Sequence, residues 1–318
     1  MQKLVIDQLF SLEGEFMIKR VGIVGMGALG LLYGNLIAKN IGSGAIDFIV
    51  DQERLHKYQT MTFTVNQIAV KFNLVNCDLA TPYDLIIVAV KATALDSALE
   101  TMKNCVDDHT IIISLLNGIS SETLIGQKYS SKNILYAIAQ GMDAMKFGGD
   151  LVYSKEGQIV LGIIDPSQQA KLDAVADFLG QAKINIDIKD DILHSLWGKF
   201  MLNVGINQTC MAFDTNYGGA LLPGIANDTL VKAMQEVIML SNYEGINLTN
   251  DDLQHYLDII KTLDPQGLPS MAQDAKAKRY SEVEMFAGTV IALASKYDLE
   301  VPVNQFLYQR IKEIESNY

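Results

Sequence analysis

Lys199, Asn203 and Asn207 recur at intervals of four in LWGKFMLNVGINQ (196–208), a stretch that is otherwise mostly apolar. In a helix each step of four residues advances about 40° around the axis, so the three polar groups share one face. An ammonium and two amides in a row among Leu, Trp, Phe, Met, Val and Ile need partners if they are buried. Two situations suit such a face. One is the wet edge of a cleft, with Lys199 reaching water along its aliphatic stem. The other is a substrate face, on which Lys199 donates a proton and the amides hold oxygens in place.

A second pattern with chemical content is GMGALG (25–30). Gly25 allows a tight turn, Gly27 lets backbone approach a pyrophosphate, and Gly30 lets a helix pack close to the strand before it. Ala28 and Leu29 begin that helix, whose free N–H groups and dipole favour an anion. The context supports a dinucleotide site: RVGIV reads as a strand, an apolar helical segment follows, and Asp51 ends the next strand 21 residues after Gly30. A carboxylate at Asp51 accepts hydrogen bonds from an adenosine ribose 2′-OH and repels a 2′-phosphate, unless a nearby cation such as Arg54 intervenes. NADH or NADPH is therefore the expected cofactor, with Asp51 leaning toward NADH.

The elements that must position these residues fall into two textures. Strand-length runs, AIDFIVD, DLIIVAV, TIIISLL, NILYAIA and QIVLGII, alternate with helical segments up to about residue 190. That alternation predicts an α/β fold, a Rossmann doubly wound parallel sheet covered by helices on both faces. Beyond it only helical patterns appear, at 192–207, 227–244, 250–261, 270–279 and 281–297 and from about 303. The expected organisation is a dinucleotide-binding domain over 1–188 and an all-helical substrate and catalytic domain over 189–318, joined at NIDIKDD. The cleft between two such domains is a favoured place for a ligand.

With these landmarks in place, the chain resembles the ketopantoate reductases (2-dehydropantoate 2-reductases). LWGKFMLNVGINQTCMAF is similar to that family's signature helix. GMGALG, AVKA (89–92), LLNG (115–118), PSMAQDAKAKRYSEVE (269–284) and LEVPVN (299–304) follow in the family's order. The resemblance implies that Lys199 is the general acid, protonating a C2 carbonyl oxygen as hydride arrives from the nicotinamide. It implies that Asn203 and Asn207 contact substrate oxygens and that Ser270 binds the substrate carboxylate. Glu282 would bind the substrate hydroxyl and help orient the lysine. Lys91 and Asn117 would border the nicotinamide end of the cofactor. One departure stands out: many members carry an arginine where this chain has Asp51, and NAD-dependent D-2-hydroxyacid (mandelate-type) dehydrogenases share the fold.

The totals bound the alternatives. The chain has 318 residues and a formal net charge of −12, against a nucleic-acid footprint or an anionic membrane surface as partner. Cys77, Cys105 and Cys210 are scattered, as expected of reduced thiols in a cytoplasmic protein, and no cysteine or histidine spacing suggests a metal. Val21 to Ala38 is uncharged for 18 residues, but its five glycines fit a strand, turn and helix better than a membrane span. The first residues carry Asp7, Glu13 and Glu15, wrong for a signal peptide, and suit an extra helix or an upstream start before Met17. His194 reads as structural, with no orienting carboxylate apparent. DAKAKR (274–279) reads as a solvated face that could steer an anion. The expected function is reduction of 2-dehydropantoate to pantoate, possible as a homodimer. The alternatives are the mandelate-type dehydrogenase and a dinucleotide sensor that has lost catalysis.

Overall fold

Short runs of branched apolar residues build the centre of the sheet. The computed structural model describes residues 16–318, so the readings of the first residues lie outside it. The chain runs through β1 (Val21–Val24), α1 (Ala28–Asn40), β2 (Ile46–Val50), α2 (Gln52–Gln59), β3 (Phe63–Val65), β4 (Ile68–Val70) and β5 (Leu74–Asn76). It continues through β6 (Leu85–Val88), α3 (Leu95–Thr101), β7 (Ile111–Ser114), α4 (Ser121–Lys128) and β8 (Ile134–Met142). Then come β9 (Met145–Phe147), β10 (Asp150–Val152), β11 (Glu156–Gly162), α5 (Gln169–Gln181) and β12 (Asn185–Ile188). Strands β1, β2, β6 and β7 are buried at every position, as strands covered on both faces must be.

The eight-stranded sheet has the order β12-β11-β8-β7-β6-β1-β2-β5. From β1 the chain winds outward through β2 to β5, then returns to β6 and winds the other way to β8, all in parallel. The reversal makes a switch point at the carboxyl ends of β1 and β6, where such sheets take their ligands. One strand departs from the expected parallel sheet: β11 runs antiparallel to β8. No crossover helix lies between them. The intervening residues fold as β9 and β10 and join β3 and β4 in a second sheet, order β4-β3-β10-β9. A parallel return needs a crossover connection, which this segment lacks. Helix α5 provides one for β12, which is parallel to β11.

By its packing the chain divides into two units. One comprises the residues up to Leu116 together with Ser121–Ile192; the other comprises Asn117–Ser120 and Leu193–Tyr318. The second is helical: α6 (Ile192–Ala212), α7 (Tyr217–Leu221), α8 (Ile225–Tyr243), α9 (Asn250–Lys261), α10 (Ser270–Lys276), α11 (Thr289–Lys296) and α12 (Pro302–Glu315). The segment expected as one helix over 281–297 instead enters α11 through a widened π-turn at Glu284–Gly288. Helix α6 is the axis of this unit. Leu196, Trp197, Phe200, Met201, Val204, Ile206, Cys210 and Met211 bury residues around its circumference, the mark of a helix enclosed by neighbours. The neighbours come close at Gly205, where an added Cβ would lie 2.6 Å from Met234 Cγ on α8.

The three thiols are free and buried, and burial pushes those of Cys105 and Cys210 up to about 12. Such thiols are inert packing groups. Among the described residues no helix is long and apolar enough to cross a membrane.

Candidate active site

In the first unit the glycine loop stands at the switch point. Gly25 has φ of +113°, and a Cβ there would sit 2.5 Å from the Ala89 carbonyl oxygen, so the position admits only glycine. A Cβ on Gly30 would fall 1.9 Å from the Gly25 oxygen, which ties the first turn of α1 to the end of β1. Gly27 differs: its Cβ would meet only Ala89 O, at 3.6 Å, so its exposed side is open. Gly27 also precedes α1 without any side chain capping the helix. The first-turn N–H groups of Ala28, Leu29 and Gly30 therefore have no partner inside the helix. An open glycine before an uncapped helix start fits a pyrophosphate, the group the motif implies.

Asp51 begins α2. Its Oδ1 accepts from the Arg54 N–H at 2.7 Å, and its Oδ2 pairs with the Arg54 guanidinium. With Lys57, Tyr58 and Ser97 the pair lines a cavity of about 350 Å³. Arg54, the nearby cation the sequence offered at Asp51, is paired with it. Lys91 is exposed just after β6, at the start of a single helical turn.

The second unit gathers the other residues. Lys199 Nζ donates to Asn117 Oδ1 at 3.2 Å, and Asn117 Nδ2 donates to Glu282 Oε2 at 3.2 Å. One amide thus touches the ammonium with its oxygen and the carboxylate with its nitrogen. Lower on the same stripe of α6, Asn207 Nδ2 donates to Asn203 Oδ1 at 3.1 Å. Asn207 Oδ1 accepts from Ser270 Oγ at 2.9 Å and from the Met271 N–H at 3.2 Å. Asn207 is only 5% exposed, so these bonds are what its burial requires. Lys199 and Asn203 are half-buried, and Ser270 is exposed at the first position of α10.

Two readings change. His194 does face a carboxylate: its Nε2 lies 3.3 Å from Asp252 Oδ1. Asp252 also caps α9, accepting from the Thr249 N–H at 2.7 Å and hydroxyl at 2.8 Å. Burial raises its carboxyl, but the Thr249 bonds and the imidazole outweigh that and hold it below the ordinary value. The pair fastens α9 to α6, and its sequence separation hid it. In DAKAKR, Asp274 is buried rather than solvated, and pairs with Arg279 Nε at 2.7 Å. Two fully buried amides, Gln208 and Asn304, were given no part by sequence reasoning, although Gln208 directly follows the polar stripe and Asn304 ends LEVPVN.

A Rossmann sheet with an open phosphate loop, followed by a helical unit holding a lysine beside an amide and a carboxylate, defines a dinucleotide-dependent oxidoreductase. The family described as ketopantoate reductase PanE/ApbA matches residues 21–166, and its C-terminal part matches residues 191–315. A 2-dehydropantoate 2-reductase from Lactococcus lactis subsp. lactis is 30% identical over 73% of this chain and 75% of its own. The structure of a D-mandelate dehydrogenase with NADH and anilino(oxo)acetate superposes with a TM-score of 0.84 at 23% identity, covering 94% of this chain and 99% of that one. A dimeric ketopantoate reductase from Staphylococcus aureus gives a TM-score of 0.78 at 20% identity, covering 94% and 99%. This chain belongs to the ketopantoate reductase family. It is an NAD(P)H-dependent oxidoreductase of the 2-hydroxy acid and 2-keto acid class.

The loop geometry makes one expectation sharp. Gly30→Ala forces a Cβ onto a backbone oxygen that cannot step aside, so the α1 start must shift away from β1. Dinucleotide affinity measured by titration calorimetry should fall at least about tenfold, the effect of an ångström-scale misplacement. Unchanged affinity would mean that the loop does not hold the pyrophosphate.

Proposed function

We propose that this enzyme reduces 2-dehydropantoate to pantoate, a step toward pantothenate and coenzyme A. The observation that carries the reading is the half-buried Lys199, held by Asn117 with Glu282 on the other end of the same amide. In this proposal the first unit is the cofactor domain, with Gly25, Gly27, Ala28, Leu29 and Gly30 around the pyrophosphate, Asp51 at the ribose and Lys91 toward the nicotinamide. The second is the substrate and catalytic domain. A bound NAD(P)H supplies the hydride. Lys199 Nζ donates a hydrogen bond and then a proton to the C2 oxygen, on which negative charge develops. Asn117 fixes the direction of the ammonium. Glu282 accepts from the substrate hydroxyl and, through Asn117, helps orient the ammonium. Asn203, its oxygen taken by Asn207, turns its Nδ2 to a substrate oxygen. Ser270 and Asn207 receive the carboxylate end, at the start of α10. A cytoplasmic enzyme working as a homodimer is the setting we propose; the buried free thiols and the dimeric Staphylococcus aureus relative support it.

Asp51 favours a second reading, the NAD-dependent D-2-hydroxyacid dehydrogenase of mandelate type. Its carboxylate suits a ribose 2′-OH, whereas its pairing with Arg54 keeps a cation beside the same place.

Three measurements decide these points. Lys199→Ala should cut kcat by about 100-fold or more, in the range for losing a general acid, with dinucleotide affinity near normal; surviving turnover removes the lysine from the acid role. Rates on 2-dehydropantoate, 2-ketoisocaproate and phenylglyoxylate, each with NADH and NADPH, should be highest on 2-dehydropantoate. Fast reduction of phenylglyoxylate alone selects the second reading. Asp51→Arg should move the ratio of kcat/KM values toward NADPH, and no movement would show that Asp51 does not face the ribose.

A further inference from the structure

A π-turn widens the helix by a residue and displaces a peptide group from its ladder. In the turn at Glu284–Gly288 the displaced group can be identified. The Glu282 carbonyl accepts from the N–H groups of Met285 at 2.9 Å and Phe286 at 3.3 Å, and the Val283 carbonyl accepts from Gly288 at 3.0 Å. The Ala287 N–H, lying between them, goes instead to Gln208 Oε1 on α6, at 3.1 Å. A side chain thus replaces a backbone acceptor in the turn that follows Glu282.

Gln208 has no solvent exposure, and its other end is fixed as well. Its Nε2 donates to the Val204 carbonyl at 2.8 Å and to Asn304 Oδ1 at 3.2 Å. Asn304, also without exposure, donates through Nδ2 to Glu236 Oε2 at 2.7 Å and to the Ala233 carbonyl at 3.3 Å. The Glu236 carboxylate accepts in addition the N–H groups of Val303 and Asn304, at 2.8 and 2.9 Å, at the start of α12. The chain has one direction. Glu236 can only accept, so Asn304 must turn its nitrogen to it and its oxygen to Gln208. Gln208 must then turn its nitrogen to Asn304 and its oxygen to Ala287. Reversing either amide would set oxygen against oxygen in a buried place, at a cost the core does not tolerate.

We infer that Gln208 and Asn304 are positioning residues for the reaction. They hold the π-turn in register and thereby set Glu282 against Asn117, and through it Lys199. The inference rests on the site reading above, in which Glu282 works on the Lys199 side of the substrate. Neither residue is assigned a contact with substrate. LEVPVN then has a physical role: it brings the amide that orients the oxygen which Ala287 needs.

The test is a double-mutant cycle. Gln208→Met keeps the length of the side chain and removes the acceptor. It should lower kcat by between about tenfold and 100-fold, the range for a misplaced catalytic group, with dinucleotide affinity unchanged. In the Glu282→Gln background the same substitution should lower kcat no further, because its effect runs through Glu282. Asn304→Ser, which loosens the orientation of Gln208, should reproduce the fall in kcat to a smaller degree, with folding followed by circular dichroism. Two fully multiplicative effects, or a lower melting temperature with kcat intact, would overturn the inference. If Glu282→Gln is itself fully active, the site reading fails first, and the inference falls with it.

Discussion

A polar group carried into an apolar interior must be met by a partner, at a cost of roughly 2–7 kcal/mol if it is not. Much of the helical unit answers that requirement. Helix α6 is enclosed around its circumference, yet carries Lys199, Asn203, Asn207 and Gln208. Lys199, Asn207 and Gln208 each draw in a distant piece of chain: Asn117 from the segment after β7, Ser270 and Met271 from the start of α10, and Ala287 from the π-turn, while Asn203 is met within the helix by Asn207. Neighbours along the helix meet part of the need, as Asn207 does for Asn203 and the Val204 carbonyl for Gln208, and the donors and acceptors left over take partners from across the sequence.

The first unit obeys a different constraint, the approach of backbone to backbone. Parallel strands leave a gap where winding reverses, and the glycine loop sits at its edge with no room for Cβ atoms at Gly25 and Gly30. The resulting helix start faces outward without a capping side chain, which is electrostatically a place for an anion. The uncharged stretch from Val21 to Ala38 is explained by this construction: a strand buried on both faces runs directly into a helix whose Leu31, Leu32, Leu36 and Ile37 are all covered.

Where the sequence was legible, periodicity or a short motif carried the information. Strand and helix alternation, the phosphate loop and the shared face of Lys199, Asn203 and Asn207 are all local patterns. What escaped was non-local. The antiparallel course of β11 follows from the absence of a crossover helix, since the residues before it were recruited to a second sheet. The His194–Asp252 contact joins two helices whose packing no pattern announces. The burial of Asp274 depends on what packs over α10, not on the mixed charges around it.

By itself, the sequence determined which residue types were available and at what spacing: an ammonium with two amides on one stripe, three glycines before a helix, and an acid at the end of the second strand. These are properties of a repeat of 3.6 residues and of the steric freedom of glycine, and they need no knowledge of neighbours. Only the tertiary structure decided which atoms meet. It joined Lys199 and Glu282 through a single amide, put Arg54 on Asp51, and gave Ala287 an oxygen from Gln208. Hydrogen bonds and ion pairs act over a few ångströms, and separations that small between residues distant in sequence exist only once the helices have packed.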